Sequence, residues 1–197
     1  MSEQPQSLSV IEGLRALGEI MASEEETAAI VVVGGTALIL HGFVARVTED
    51  VDVIAISIDP PSRKPRRIKD PNPMPESLVR AVSRVARDFN LPDDWLNTMV
   101  SLQWKTGLPR GFEDRIHWKK YQGLWLGLAD RYDLIFLKLF AAADSEGPSS
   151  VHFQDLMALA PTRKELDNAE EWVRSQDPSP GFIEILDEVM RYIRSHD

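Results

Sequence analysis

The chain contains no cysteine among its 197 residues. That absence excludes a disulfide framework, a thiolate metal site and a cysteine nucleophile. No apolar run approaches the roughly 20 residues that a helical membrane span needs. The opening segment, Met1 to Leu14, lacks the basic-then-apolar order of a signal peptide. A soluble, cytoplasmic protein with no membrane partner is therefore expected. Basic residues are in the minority: 22 Lys and Arg stand against 31 Asp and Glu, giving a net charge of −9. Such a balance argues against coating nucleic acid over the whole surface, so no DNA partner is expected, although a local basic groove remains open. His41, His117 and His152 are too scattered to form a zinc set. Internal repeats and low-complexity tracts are also missing.

What is present is enough apolar material for a real core, 43% of the residues, in one domain or in one with a helical appendage. Val10, Ile11, Leu14, Leu17, Ile20 and Met21 recur at helical spacing behind the caps offered by Ser7 and Ser9. Ala28–Val33 reads as a buried strand. Thr36–Gly42 fits a short helix ended by Gly42, and Val51–Ile58 is a second strand. Ser57–Pro75 reads as a loop; its piece Ser62–Lys69 carries five positive charges. Pro75–Phe89 returns to helical spacing. Pro92-Asp93-Asp94 looks like a cap before a short helical turn carrying Trp95 and Leu96. Arg115–Tyr121 and Leu124–Leu128 flank Gln122-Gly123 as a hairpin. Helices follow over Asp130–Ala143, Val151–Ala160, a stretch capped by Thr162 with Glu165 at capping-box spacing, and Pro178–His196. The expected division is an α/β core over 1–130 and a helical part over 131–197 packed on it.

The most informative stretch is Val31–Ile56. A strand runs into Gly34-Gly35, a short helix follows, and a second strand opens with Asp50-Val51-Asp52. Alternate strand residues share a face, so the two carboxylates stand about 6–7 Å apart at the backbone and can converge on Mg²⁺. The diglycine turn places bare amides at a helix start, where a phosphate can sit. These are the parts of a metal-dependent phosphoryl-transfer site.

With Gly34-Gly35-Thr36-Ala37, Arg46, Thr48, Asp50 and Asp52 in view, the chain resembles the nucleotidyltransferase superfamily with a DNA-polymerase-β-like core. Gly35 and Asp50 are separated by fourteen residues. The wording of these motifs looks most like the bacterial abortive-infection-type toxin nucleotidyltransferases and their uncharacterised relatives. The resemblance continues through Asp94-Trp-Leu-Asn97, the helix Leu134–Phe140 with Lys138, and Gln154-Asp155-Leu156. It implies an α+β fold, a mixed β-sheet flanked by helices with a helical C-terminal part. It also implies that Asp50 and Asp52 ligate Mg²⁺ (or Mn²⁺), and that Gly34, Gly35 and Thr36 meet phosphate oxygens. Arg46 would pair with a phosphate, with Thr48 beside it in the motif. Lys138 would add positive charge, and Asp155 would orient Lys138 or the acceptor. The implied reaction moves a nucleoside monophosphate from a nucleoside triphosphate to an RNA, such as a tRNA 3′ end, or to a protein. The implied partners include an antitoxin protein.

One feature departs from that pattern. Such enzymes commonly use a third carboxylate on a neighbouring strand as the base. Glu113, Asp114 and Asp130 are the candidates, none clearly inside a strand; otherwise Asp155 replaces it. A catalytically inactive nucleotide-binding module and a small-molecule, antibiotic-type nucleotidyltransferase are the competing readings. Several residues also have plainer roles. Lys138 can cover core with its stem, Asp155 can pair with a basic neighbour, and His41 can be a packed, hydrogen-bonded ring. The basic stretch is either a solvated loop or a contact for RNA or triphosphate. The five tryptophans read as packing residues.

Overall fold

The computed structural model describes residues 10–59, 64–65 and 67–196. The expected caps Ser7 and Ser9, and Ser62, Arg63 and Arg66 of the basic stretch, lie outside the described residues. Among the described residues six strands are formed: β1 (Ala28–Val32), β2 (Val51–Ser57), β3 (Ile68–Lys69), β4 (Leu96–Asn97), β5 (His117–Tyr121) and β6 (Leu124–Leu128). The helices are α1 (Val10–Ser23), α2 (Gly34–His41), α3 (Glu76–Phe89), α4 (Phe112–Arg115), α5 (Arg131–Ala143), α6 (Val151–Ala158), α7 (Arg163–Gln176) and α8 (Pro180–His196).

The sheet is mixed, in the order β3-β2-β1-β6-β5, with β4 also joined to β2. β1 runs antiparallel to β2 and parallel to β6. β1 and β2 are apolar on both faces: Ile30, Val31, Val32, Val51, Val53, Ile54 and Ala55 are all fully buried. Strands buried on both sides need covering layers on each face. α1 packs against α3 and lies over β5 and β6, while α2 packs against β2. The C-terminal third is a helical layer centred on α5, which packs against α6, α7 and α8. The expected α+β fold with a helical C-terminal part is the observed one.

Local sequence explains most element ends. Gly42 closes α2 in the left-handed region at φ 83°, where its amide reaches the Ile39 carbonyl. Asp130 caps α5 by accepting from the Tyr132 amide at 2.8 Å, and Ser150 caps α6 through the Phe153 amide. Thr162 and Glu165 form the full capping box on α7.

Three expectations are corrected. α2 begins at Gly34, not Thr36, because Gly34 adopts φ 64° and turns the chain directly into the helix. The Pro92–Trp95 turn forms, but Leu96 leaves it for β4. The outer edge of β2 is free there, and the Val51 amide donates to the Trp95 carbonyl at 2.7 Å. The expected 57–75 loop contains β3, which covers the opposite end of the same edge, pairing Ile56 with Lys69. Both additions hide backbone groups that would otherwise be unpaired.

Candidate active site

Asp52 is the second residue of β2, and its backbone carbonyl accepts from the Val33 amide at 3.0 Å, holding the strand against the start of α2. A Cβ added at Gly34 would collide with the Asp52 carboxylate. At Gly35 it would lie 2.8 Å from Thr48 Oγ1 and 3.2 Å from Arg46 Nη2. The diglycine is thus required twice: Gly34 for its positive φ, and both residues for the close approach of side chains. Asp50 precedes β2 rather than opening it, and is exposed. Its carbonyl accepts from the buried Thr36 hydroxyl at 2.8 Å, and Thr48 Oγ1 lies 3.4 Å from the same oxygen. The Thr36 hydroxyl therefore ties α2 to the approach of β2.

The electrostatics of this acidic corner are unbalanced. Burial and then the neighbouring Asp50 charge push the Asp52 carboxyl above its usual range; Lys138 and a hydrogen bond from Asn97 offset part of this. A second corner is balanced. Asp155 on α6 is buried, and it accepts from Arg46 Nη2 at 2.8 Å, from Arg46 Nε at 3.3 Å and from Lys138 Nζ at 2.8 Å. Burial alone would raise the Asp155 carboxyl, yet the hydrogen bonds from Arg46 and Lys138 leave it below its ordinary value. Lys138 itself is only 5% exposed. His152 Nδ1 lies 3.5 Å from Lys138 Nζ. Burial, then the Lys138 charge, lower the imidazole pKa, so the ring is neutral near pH 7.

Gly34, Asp52, Lys138 and His152 line the polar end of a cavity of about 450 Å³. Its apolar wall comes from Ile54, Leu137 and Phe140, and from Val100 and Leu102 on a 3-10 segment, Met99–Lys105. Sequence reasoning missed this segment, which has no 3.6-residue period to read. It named Asn97 only as the end of a motif and gave it no role; β4 places that residue directly opposite Asp52 in parallel register.

The candidate third carboxylates are engaged elsewhere. Asp130 caps α5 and meets His117 Nε2 at 2.7 Å. Glu113 and Asp114 line a separate surface hollow with Lys64 and Trp118. Of the basic stretch, Ile68 and Lys69 pair at Ser57 and Ile56, roughly 13 Å along β2 from Asp52. Arg67 there is bound to Asp59 at 2.8 Å. Of the two readings of this stretch, the ion pair of Arg67 with Asp59 fits the solvated loop.

Among the described residues no group of three or more His, Asp or Glu is gathered as a metal cage. Two carboxylates, partly exposed and repelling one another, do fit Mg²⁺. That ion is typically held by one or two carboxylates together with substrate phosphates.

A strand that runs into a diglycine helix start, beside an antiparallel strand headed by Asp-x-Asp, is the frame of a polymerase-β-like nucleotidyltransferase core. The chain belongs to the family described as nucleotidyltransferase of unknown function (DUF6036), whose model matches residues 12–156. The matched segment spans α1 to α6 and so includes both corners, while α7 and α8 lie beyond it. No match was found among curated proteins or among solved structures. Among the described residues no helix is long and apolar enough to cross a membrane.

Proposed function

We propose that the chain transfers a nucleoside monophosphate from a nucleoside triphosphate to an acceptor hydroxyl, with Mg²⁺ or Mn²⁺ held by Asp50 and Asp52. The observation that carries this reading is the packing of the Asp52 carboxylate on Gly34, at the start of α2. A helix start of this kind offers first-turn amides that have no intrahelical partner, to which a phosphate can bind. Bound there, the metal would neutralise triphosphate charge and polarise the reacting phosphorus centre. The acceptor oxygen bonds to the α-phosphorus and releases its proton to water, the bond from that phosphorus to its bridging oxygen breaks, and pyrophosphate leaves.

The chain's own residues supply positioning. Lys138 stands at the polar end of the cavity, held by Asp155, with its charge directed by that ion pair. Arg46 lies over Gly35 and would reach a phosphate by exchanging Asp155 for it as the partner of its planar fork. The nucleobase would rest between the 3-10 segment and α5, on Leu102, Leu137 and Phe140, in a cavity of suitable size and apolarity. The acceptor is an RNA 3′ end, as in tRNA, or a protein hydroxyl. A toxin role with a neutralising antitoxin protein follows from the motif resemblance alone.

The test is incubation of the protein with α-labelled nucleoside triphosphates, Mg²⁺, total RNA and cell protein. Label should move to one acceptor class, and Asp50→Asn should abolish the transfer while the circular dichroism stays unchanged. Equal turnover in that variant rejects the mechanism. A second reading is favoured by the carboxyamide of Asn97 opposite Asp52 and by the prior pairing of both cations with Asp155: the site binds a nucleotide or partner without transfer. Saturable triphosphate binding with no label transfer to any acceptor would establish that reading instead.

A further inference from the structure

Asn97 sits between the acidic corner and the apolar wall. The parallel pairing of β2 with β4 sets Asp52 opposite Asn97. Its Oδ1 accepts from the Met99 amide at 3.1 Å, closing a local turn at the head of the 3-10 segment. With the oxygen committed there, the amide nitrogen is the polar group that the side chain has left for its register partner, Asp52. An Asn in this orientation offers Asp52 a donor only: it supplies neither a negative charge nor a free oxygen for a cation.

We propose that Asn97 is a positioning residue that fixes the Asp52 carboxylate for a divalent cation and joins that carboxylate to the wall on which the nucleobase rests. The proposal depends on reading Asp50 and Asp52 as a cation site. A carboxylate that ligates a metal through one oxygen is steadied by a hydrogen-bond donor on the other, and removing such an outer partner typically weakens metal affinity about 10–100-fold. The far end of the wall is also tied to β2, since the Trp104 indole donates to the Ile54 carbonyl. The 3-10 segment therefore cannot shift without moving β2 residues on either side of the cavity floor. A separate anchor holds the same segment without touching Asp52: Asn72 receives the Thr98 hydroxyl at 2.8 Å and donates to Ser101 Oγ at 2.7 Å. The two asparagines thus separate a role at the carboxylate from a role in the segment's stability.

The experiment measures Mn²⁺ affinity by electron paramagnetic resonance on the full chain without nucleotide. Asn97→Ser keeps a short oxygen able to accept from the Met99 amide but cannot reach Asp52, so it should weaken Mn²⁺ binding by about tenfold or more. Asn72→Ala should lower the melting temperature and leave Mn²⁺ affinity unchanged. In an Asp52→Asn background, Asn97→Ser should produce no further loss, because the two act as one unit. Wild-type Mn²⁺ affinity in Asn97→Ser would overturn the proposal, as would an equal loss in Asn72→Ala or an additive loss in the double variant. If the wild type binds no Mn²⁺ that Asp50→Asn and Asp52→Asn diminish, the cation-site reading itself fails. That result is distinct from a wild type that binds Mn²⁺ while Asn97→Ser binds it equally well. If Asn97→Ser does not fold, Asn97→Ala in the same assays carries the same expectations.

Discussion

The two corners of the cavity hold charge in opposite ways. At Gly34 and Asp52, burial and then the Asp50 charge push the Asp52 carboxyl up with only partial relief. At Asp155, one carboxylate meets two cations and is held down. Both corners are built from side chains in the same segment, Arg46 to Asp52, yet one is left with uncompensated charge and the other is closed. Like charges at close range are a cost to the fold. A fold keeps such a pair where a ligand relieves it. A buried carboxylate sharing an arginine and a lysine joins distant parts of the chain, here the segment before β2, α5 and α6. The acidic corner thus reads as the place that waits for a cation, and the basic corner as the latch that aims Lys138 at it.

The sharpest way to break this contrast is to neutralise one member of each corner. Asp52→Asn removes a metal ligand and should lower transfer by about 10³-fold or more, the scale on which transition-state charge stabilisation operates. Because it also removes repulsion with Asp50, its melting temperature should hold or rise. Gly34→Ala should lose activity for a different reason, since the added methyl collides with Asp52 and the positive φ strains any side chain by about 1–3 kcal/mol. Label transfer and thermal melts on the two variants check both statements. A large fall in the stability of Asp52→Asn would mean that the corner is structural.

Asp155→Ala should behave the other way. Lys138 is almost fully buried, and removing its partner strands a charge, typically at about 3–5 kcal/mol. For a chain of this size that lowers the melting temperature by roughly 10 °C. Lys138→Met should be milder in stability, because Asp155 keeps Arg46. Should Asp155→Ala melt like the wild type, the latch is not what joins α6 to the core.

The pH dependence of stability gives a third contrast. Asp155 and Glu165 have folded-state pKa values below their ordinary ones. For Glu165 the hydrogen bond from Arg131 is the largest cause, bringing it to about 2. A depressed acid contributes stability that is present above its unfolded pKa and lost as pH falls through the folded one. The melting temperature should therefore decline from about pH 4.5 down to 2. Arg131→Met removes the principal cause at Glu165 and should flatten that decline, while Asp52→Asn should not.

The acidic corner was legible in the sequence because its geometry is local. A period of two sets Asp50 and Asp52 on one strand face, and a diglycine, a weak signal alone, gains meaning in combination with them at this spacing. Asp155 was legible as a motif residue together with one partner, Lys138, but its other partner was not. Arg46 lies 109 positions away, and no spacing rule connects a loop arginine with a helix aspartate. Asn97 was hidden differently: two residues of strand are too short for alternation to show. The motif Asp94-Trp-Leu-Asn97 marked the residue but carried no role for it.

The smallest expected effect lies outside both corners. Thr162 accepts from the Glu165 amide at 3.3 Å, and Glu165 in turn holds the Thr162 amide at 2.7 Å. Glu165 also receives Arg131 Nη1 at 2.7 Å, at the start of the helix that carries Lys138. Thr162→Ala removes the cap and should cost about 1 kcal/mol, a drop of roughly 2–4 °C in melting temperature. Transfer should be unchanged, because Lys138 lies nearly two turns along α5 and takes its orientation from Asp155. If transfer falls by more than the loss of folded protein explains, α7 reaches the site through Glu165 and Arg131. The basic corner would then extend beyond α6, and the contrast between an open corner and a closed one would have to include the helical layer behind it.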